Sequence, residues 1–84
     1  MDDKTGPGPV TLRSLGVGNS GRVTAVLGRG ALRRHLLDMG ITPGTTLTVT
    51  KAAPLGDPIE IRLRGYALTI RLGDAENILV ELEG

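Results

Sequence analysis

Nucleophilic catalysis needs a hydroxyl or thiol held beside a base. Here the only histidine is His35, the only serines are Ser14 and Ser20, and cysteine is absent. Both serines lie near glycine-rich turns, where a serine ordinarily bonds its own local backbone. Two carboxylate pairs are close enough in sequence for acid–base work, Asp57 with Glu60 and Asp74 with Glu76. Glu60 falls on the polar face of a strand pattern and Asp74 opens a turn, so both pairs read as solvated. Gly28-Arg29-Gly30 has neither a P-loop lysine nor GxGxxG spacing, so it carries no nucleotide motif. No catalytic constellation assembles, and the chain is expected not to be an enzyme.

Metal chemistry is almost as poorly supplied. The lack of cysteine removes thiolate sites, and a lone histidine cannot build a multi-histidine cage. His35 and Asp38 stand three apart, on one side of a helix, and together could share a borderline metal. Two ligands make a weak site, whereas a symmetric dimer could supply four. The plainer reading has His35 on the surface and Asp38 paired with Arg34 at i, i+4, and it is preferred. No cofactor is required, and any bound transition metal is expected to be held weakly or between chains.

The elements that must carry these residues follow from punctuation and period. Thirteen glycines and five prolines divide an 84-residue chain that is 39% hydrophobic and 23% charged, a balance that suits one small globular domain. Residues 1–9, with Gly6-Pro7-Gly8-Pro9, read as a flexible tail that cannot enter a helix or a sheet ladder. The folded domain then runs over 10–84. Val10–Leu12 and Gly21–Leu27 have strand character, the second rich in β-branched residues. Ala31–Met39 is the one helix, with Leu32, Leu36 and Met39 on a single face. Gly40 follows where a left-handed cap is wanted, and Thr42-Pro43-Gly44-Thr45 fits a type II turn. Residues 46–50, 59–63 and 68–72 alternate apolar with polar, Arg64-Gly65 has hairpin spacing, and Ile78–Leu82 closes the chain.

Half-wet antiparallel strands must curl over one another to make a core. The expectation is therefore a mainly β fold, a small SH3-like β-barrel of about five short antiparallel strands, with one α-helix between strands in the first half. Leu47, Val49, Ile59, Ile61, Leu63, Leu68, Ile70 and Val80 should line its core, with Leu32 and Leu36 covering one end.

Several function classes lose ground on composition. Residues 1–42 carry six basic and three acidic groups and residues 43–84 four and six, which is too mild an asymmetry for a nucleic-acid binder. Tyr66 is the only aromatic, so base stacking has no platform. No apolar run is long enough to span or insert in a membrane, and the N-terminus lacks a signal-peptide core, so a cytoplasmic location is expected.

Two local features remain. In the helix, Arg33 and Arg34 near the start and Asp38 near the end oppose the dipole, at a few tenths of a kcal/mol each. Either a partner surface or pairing with neighbouring strands would account for them. In the loop Ala52–Pro58, Pro54 and Pro58 stiffen the chain around Leu55. Base rates favour Leu55 tucked over the barrel end rather than offered to a partner.

The segments LRRHLLDMGITPGT (Leu32 to Thr45) and APLGDPIEIRLRGYALTIR (Ala53 to Arg71) resemble the FeoA family, the bacterial ferrous iron transport protein A. The resemblance runs from about Thr11 to Leu82. Leu37, Asp38, Met39 and Gly40 match its helix-end motif, and Pro54, Leu55, Gly56, Asp57 and Pro58 its loop motif. It implies an SH3-like domain, similar to the appendage of iron-dependent repressors, and a cytosolic accessory of the FeoB membrane transporter. The alternative is a metal-responsive regulatory module of the repressor kind, which is disfavoured because one helix cannot make a helix-turn-helix. On the partner reading, Arg34, Leu37, Asp38, Met39 and Gly40 join Pro54, Leu55, Gly56 and Asp57 in one contact surface, an apolar anchor rimmed by charge. A homo-oligomer stays open. Isothermal calorimetry on monomeric protein should find no stoichiometric sub-micromolar ferrous site, and finding one would overturn the metal reading.

Overall fold

The protein is described by a computed structural model over residues 9–83. Most of the expected tail, residues 1–8, lies outside the described residues, as does residue 84. The chain forms β1 (Val10–Thr11), a 3-10 turn (Leu12–Ser14), β2 (Ser20–Val26), α1 (Gly30–Asp38), β3 (Thr46–Ala52), β4 (Ile59–Leu63), β5 (Tyr66–Ile70), α2 (Leu72–Ala75) and β6 (Ile78–Glu83). The strands make one antiparallel sheet in the order β1-β6-β2-β3-β4-β5. The mainly β, SH3-like expectation stands, with a sixth short strand and a second short helix added to it.

The sheet is bent by two bulges, and each is built on a threonine. On β2, Val23 faces Val80 but Val26 faces Ile78, so three steps match two and Thr24 is the extra residue. On β3, Val49 faces Ile61 and Ala52 faces Ile59, so the pairing skips Thr50. An inserted residue leaves the ladder locally broken and increases the bend. The hydroxyls of Thr24 and Thr50 donate to the facing carbonyls of Leu79 and Glu60, at 3.3 and 3.2 Å. Each bulge thus supplies a side-chain bond near the broken rung.

Eight of the ten expected core residues are buried. Leu32 and Leu68 are half-buried and pack against the rest. Leu12, Leu15, Val23, Val26, Ile41, Ala75 and Ile78 are buried as well, and four of these omissions trace to a bulge or a turn. Strict alternation cannot place Val23 and Val26 on one face, whereas a bulge can. The strand expected over Val10–Leu12 stops at Thr11, whose hydroxyl accepts from the Ser14 amide and closes a 3-10 turn that points Leu12 and Leu15 inward. The strand expected over 68–72 likewise ends at Ile70, and Leu72 opens α2.

Helix α1 ends in a Schellman motif. Gly40 has φ +97°, its amide bonds the Leu37 carbonyl at 3.0 Å, and the Ile41 amide bonds the Leu36 carbonyl at 3.2 Å. Ile41 and Leu36 are both fully buried, the hydrophobic pair that accompanies such an end. Gly44 has φ +95° and the Thr45 amide bonds the Thr42 carbonyl, as the type II turn requires.

Ile61 sits mid-strand with no exposed surface. Replacing it by Ala should cost about 2–5 kcal/mol, a large part of what holds a domain of this size. An unchanged denaturant midpoint would place its side chain on the wrong face.

Candidate functional site

The two motif segments sit at opposite ends of the β4–β5 hairpin. The loop precedes Ile59, which pairs with Ile70, whereas the helix end meets Leu63 and Tyr66 at the turn. Four strand steps, roughly 13 Å, separate the two ends. The two segments are therefore separate patches of the surface and do not adjoin. The reason is topological, because α1 leads into β3 at one end of the sheet and the β3–β4 loop lies at the other.

At the helix end the motif residues serve the fold. The Tyr66 hydroxyl donates to the Met39 carbonyl at 2.5 Å, which satisfies one of the orphan acceptors of a helix C-terminus. The same hydroxyl occupies the space a Cβ on Gly40 would need. Gly40 is thus required twice, by its φ and by the approach of Tyr66. Leu37 and Met39 are half-buried against the core. Arg33 donates to the Val26 carbonyl at 3.1 Å, which accounts for one charge placed against the dipole. Arg34, His35 and Asp38 are exposed, and the expected Arg34–Asp38 ion pair is absent among the described residues. No group of three or more potential metal ligands forms among those residues either.

The loop end is built differently. The Gly56 amide bonds the Ala53 carbonyl at 2.7 Å and the Ala53 amide bonds the Pro58 carbonyl at 2.9 Å, so Pro54 and Leu55 are the corners of a tight turn. Pro54 presets one corner, and Gly56 takes φ +88° after the other. The Asp57 carboxylate accepts from the Leu72 amide at 3.1 Å, which fastens the turn to the start of α2. Leu55 projects from this frame at 95% exposure, so the tucked reading is overturned. Four consecutive positions are spent on the turn and its brace, which leaves its apex no length to fold back.

Beside the loop lies an apolar cavity of about 210 Å³, lined by Leu12, Val17, Val49, Gly56, Ile59 and Leu72 among others. Val17 is 56% exposed and was missed from sequence. It sits between Gly16 and Gly18, both at positive φ, just as Leu55 sits between Pro54 and Gly56. An apolar residue bracketed by turn formers is the signal that would have found it. Arg13 also lines the cavity and pairs with Glu76, the residue that caps the end of α2.

The polar groups considered for catalysis are engaged elsewhere. The Ser14 hydroxyl donates to the Thr11 carbonyl, and the Ser20 hydroxyl bonds that of Thr48 at 2.7 Å. Glu60 meets Thr50 and Lys51, and Asp57 braces the loop.

Residues 10–82 match the family model of the FeoA domain. The chain belongs to the FeoA family. It is 41% identical over 71 residues to a Porphyromonas gingivalis Fe(2+) transport protein A/Fe(2+) transporter FeoB fusion protein; these make up 84% of the chain and 8% of the fusion. The chain thus spans less than a tenth of that relative's length. The solution structure of the FeoA protein of Chlorobium tepidum superposes with a TM-score of 0.83 at 41% identity, covering 89% of this chain and 71% of that one. The Stenotrophomonas maltophilia FeoA, crystallised with zinc and described as an SH3 domain protein, shares the fold at TM-score 0.76 and 22% identity, over 86% of this chain and 89% of that one. In the Porphyromonas gingivalis protein the FeoA part is joined to the Fe(2+) transporter FeoB on one polypeptide.

The helix-end lock gives a stability test. Tyr66→Phe should lower stability by about 1 kcal/mol through the lost hydrogen bond. Gly40→Ala should cost more, because it adds a clash to a left-handed backbone. Denaturant midpoints of both variants and of the Gly40→Ala/Tyr66→Ala pair check this, since the pair should recover the clash and not the backbone strain. If Gly40→Ala costs no more than Tyr66→Phe, the tyrosine moves aside freely.

Proposed function

We propose that this FeoA-family chain acts in ferrous iron uptake as a cytoplasmic accessory that docks on a FeoB-type transporter. The docking surface is the barrel end formed by Leu55, Val17 and the apolar cavity beside them. The observation that carries the reading is Leu55, almost fully exposed on a turn braced by three hydrogen bonds. Burying a leucine contributes about 1.5–3 kcal/mol, and a turn already ordered loses little entropy on binding. Gly56 and Val17 line the same cavity, so a partner side chain seated there would touch both turns at once.

The Porphyromonas gingivalis fusion supports the choice of partner. Two modules on one polypeptide meet at a high effective concentration, which is useful where their separate affinity is weak. No described helix is long and apolar enough to cross a membrane, which is consistent with a domain that visits the transporter from solution. Iron is cargo on this reading. Docking uses no bound metal, and His35 and Asp38 take no part in it.

Leu55→Asp should fold like the parent, because an exposed substitution typically changes stability by no more than about 0.5 kcal/mol. It should weaken binding to the purified transporter by about 1–3 kcal/mol. A melting curve and a co-purification assay, with and without GTP, measure the two effects side by side. Folded Leu55→Asp protein that binds the transporter and supports uptake like the parent would sink the proposal.

A further inference from the structure

Strand β5 leaves one edge of the sheet open, and that edge differs from the barrel end just described. It pairs with β4 alone, in unbroken register from Leu63↔Tyr66 to Ile59↔Ile70. The turn residues Arg64 and Gly65 both have positive φ, at 50° and 85°, which is the type I′ geometry of a two-residue hairpin. Leu63 and Tyr66 therefore exchange both of their hydrogen bonds. Alternation along the ladder makes Ile61/Leu68 and Ile59/Ile70 bonded pairs too. The amides and carbonyls of Ala67 and Thr69 consequently point away from β4, and no backbone bond reaches them from another described residue outside the sheet ladders.

Natural sheets blunt such an edge with charge, proline, a bulge or a cover. β5 is Tyr-Ala-Leu-Thr-Ile, with no charge and no proline, and both bulges of the sheet lie elsewhere. Charge is placed around it instead. Arg62 stands opposite Ala67 on β4, Arg64 is in the turn, and Arg71 follows Ile70. None of the three enters an ion pair among the described residues, but Arg64 reaches back to the Thr45 hydroxyl at 3.5 Å, away from the free edge, which leaves Arg62 and Arg71 beside it. The nearby carboxylates are already engaged, Glu60 with Lys51 and Thr50, and Asp57 with the Leu72 amide. Ala67 and Thr69 are small and exposed, and Leu68 between them is half-buried on the inner side.

We propose that the free edge of β5 accepts an extended peptide segment of a partner protein as a seventh strand, with an apolar residue beside Leu68 and acidic residues against Arg62 and Arg71. Main-chain bonds to Ala67 and Thr69 hold the segment, and the arginines select it. A second copy of this chain is the weaker occupant. Pairing β5 with itself about a two-fold axis gathers four guanidinium groups, Arg62 and Arg71 of each copy, along one joint. The chain's own N-terminal Gly-Pro-Gly-Pro is weaker still, since proline has no amide to donate.

The test uses the full chain, labelled with ¹⁵N, and three capped synthetic peptides. One is a Val/Thr strand flanked by glutamates, the second has lysines in their place, and the third is the first with alternate amides N-methylated. The acidic peptide should slow exchange of the Ala67 and Thr69 amides, and salt should weaken it. The lysine version should bind about tenfold more weakly, the equivalent of about two exposed ion pairs. The methylated one should not protect these amides. Arg62→Glu/Arg71→Glu protein should reverse the preference, which a general surface effect would not do. Four results would overturn the proposal: slow exchange already present in the free monomer, protection that tracks dimer formation, equal binding of the two charged peptides, or no perturbation at millimolar peptide. None of these bears on Leu55, so this proposal and the transporter proposal stand or fall separately.

Discussion

A sheet with one apolar face has to curl until that face meets itself, and in this protein the two threonine bulges make the curl. The core is aliphatic, with no phenylalanine or tryptophan to fill a gap between flatter layers. Closure therefore depends on how sharply β2 and β3 bend. Thr24 and Thr50 bend them at low polar cost, since each hydroxyl bonds a carbonyl of the facing strand. The bulge on β3 also sets where that strand ends and where the loop carrying Leu55 begins. The exposed barrel end is in this sense a product of how the core is closed.

The strands of the second half were legible because their alternation is clean and their turns use the residues those turns demand. Pro43-Gly44 and Arg64-Gly65 did what their types allow. Most of what escaped breaks period two; Ile78, in step with Val80, is an exception. Val26, Leu12 and Leu72 were missed or misplaced for that reason, as the bulge, the Thr11-capped turn and α2 each interrupt an alternating pattern. The candidate site was half legible. The loop motif could be singled out by its prolines, but base rates put Leu55 on the wrong side of the surface. One of the three bonds that brace its turn comes from the Leu72 amide of α2, more than a dozen residues downstream, and local sequence does not show it.

The structure also divides the motifs of the FeoA resemblance into two physical kinds. Gly40, Met39 and Tyr66 are accounted for by one another, through a capped helix end and a hydroxyl placed against a glycine. Pro54, Gly56 and Asp57 are accounted for by the turn they build. Leu55 is accounted for by nothing inside the molecule. A side chain that the fold does not use, on a frame the fold maintains carefully, is the clearest pointer to an outside contact.

The lock at the helix end has an evolutionary reading. Position 40 is held by two independent demands, a left-handed backbone and a tyrosine at van der Waals range, whereas position 66 is held by a single hydrogen bond. Drift is therefore asymmetric. A lineage can lose the tyrosine at modest cost and still need the glycine, but it cannot readily lose the glycine while the tyrosine remains. The order of loss among descendants is set by the geometry of one hydroxyl.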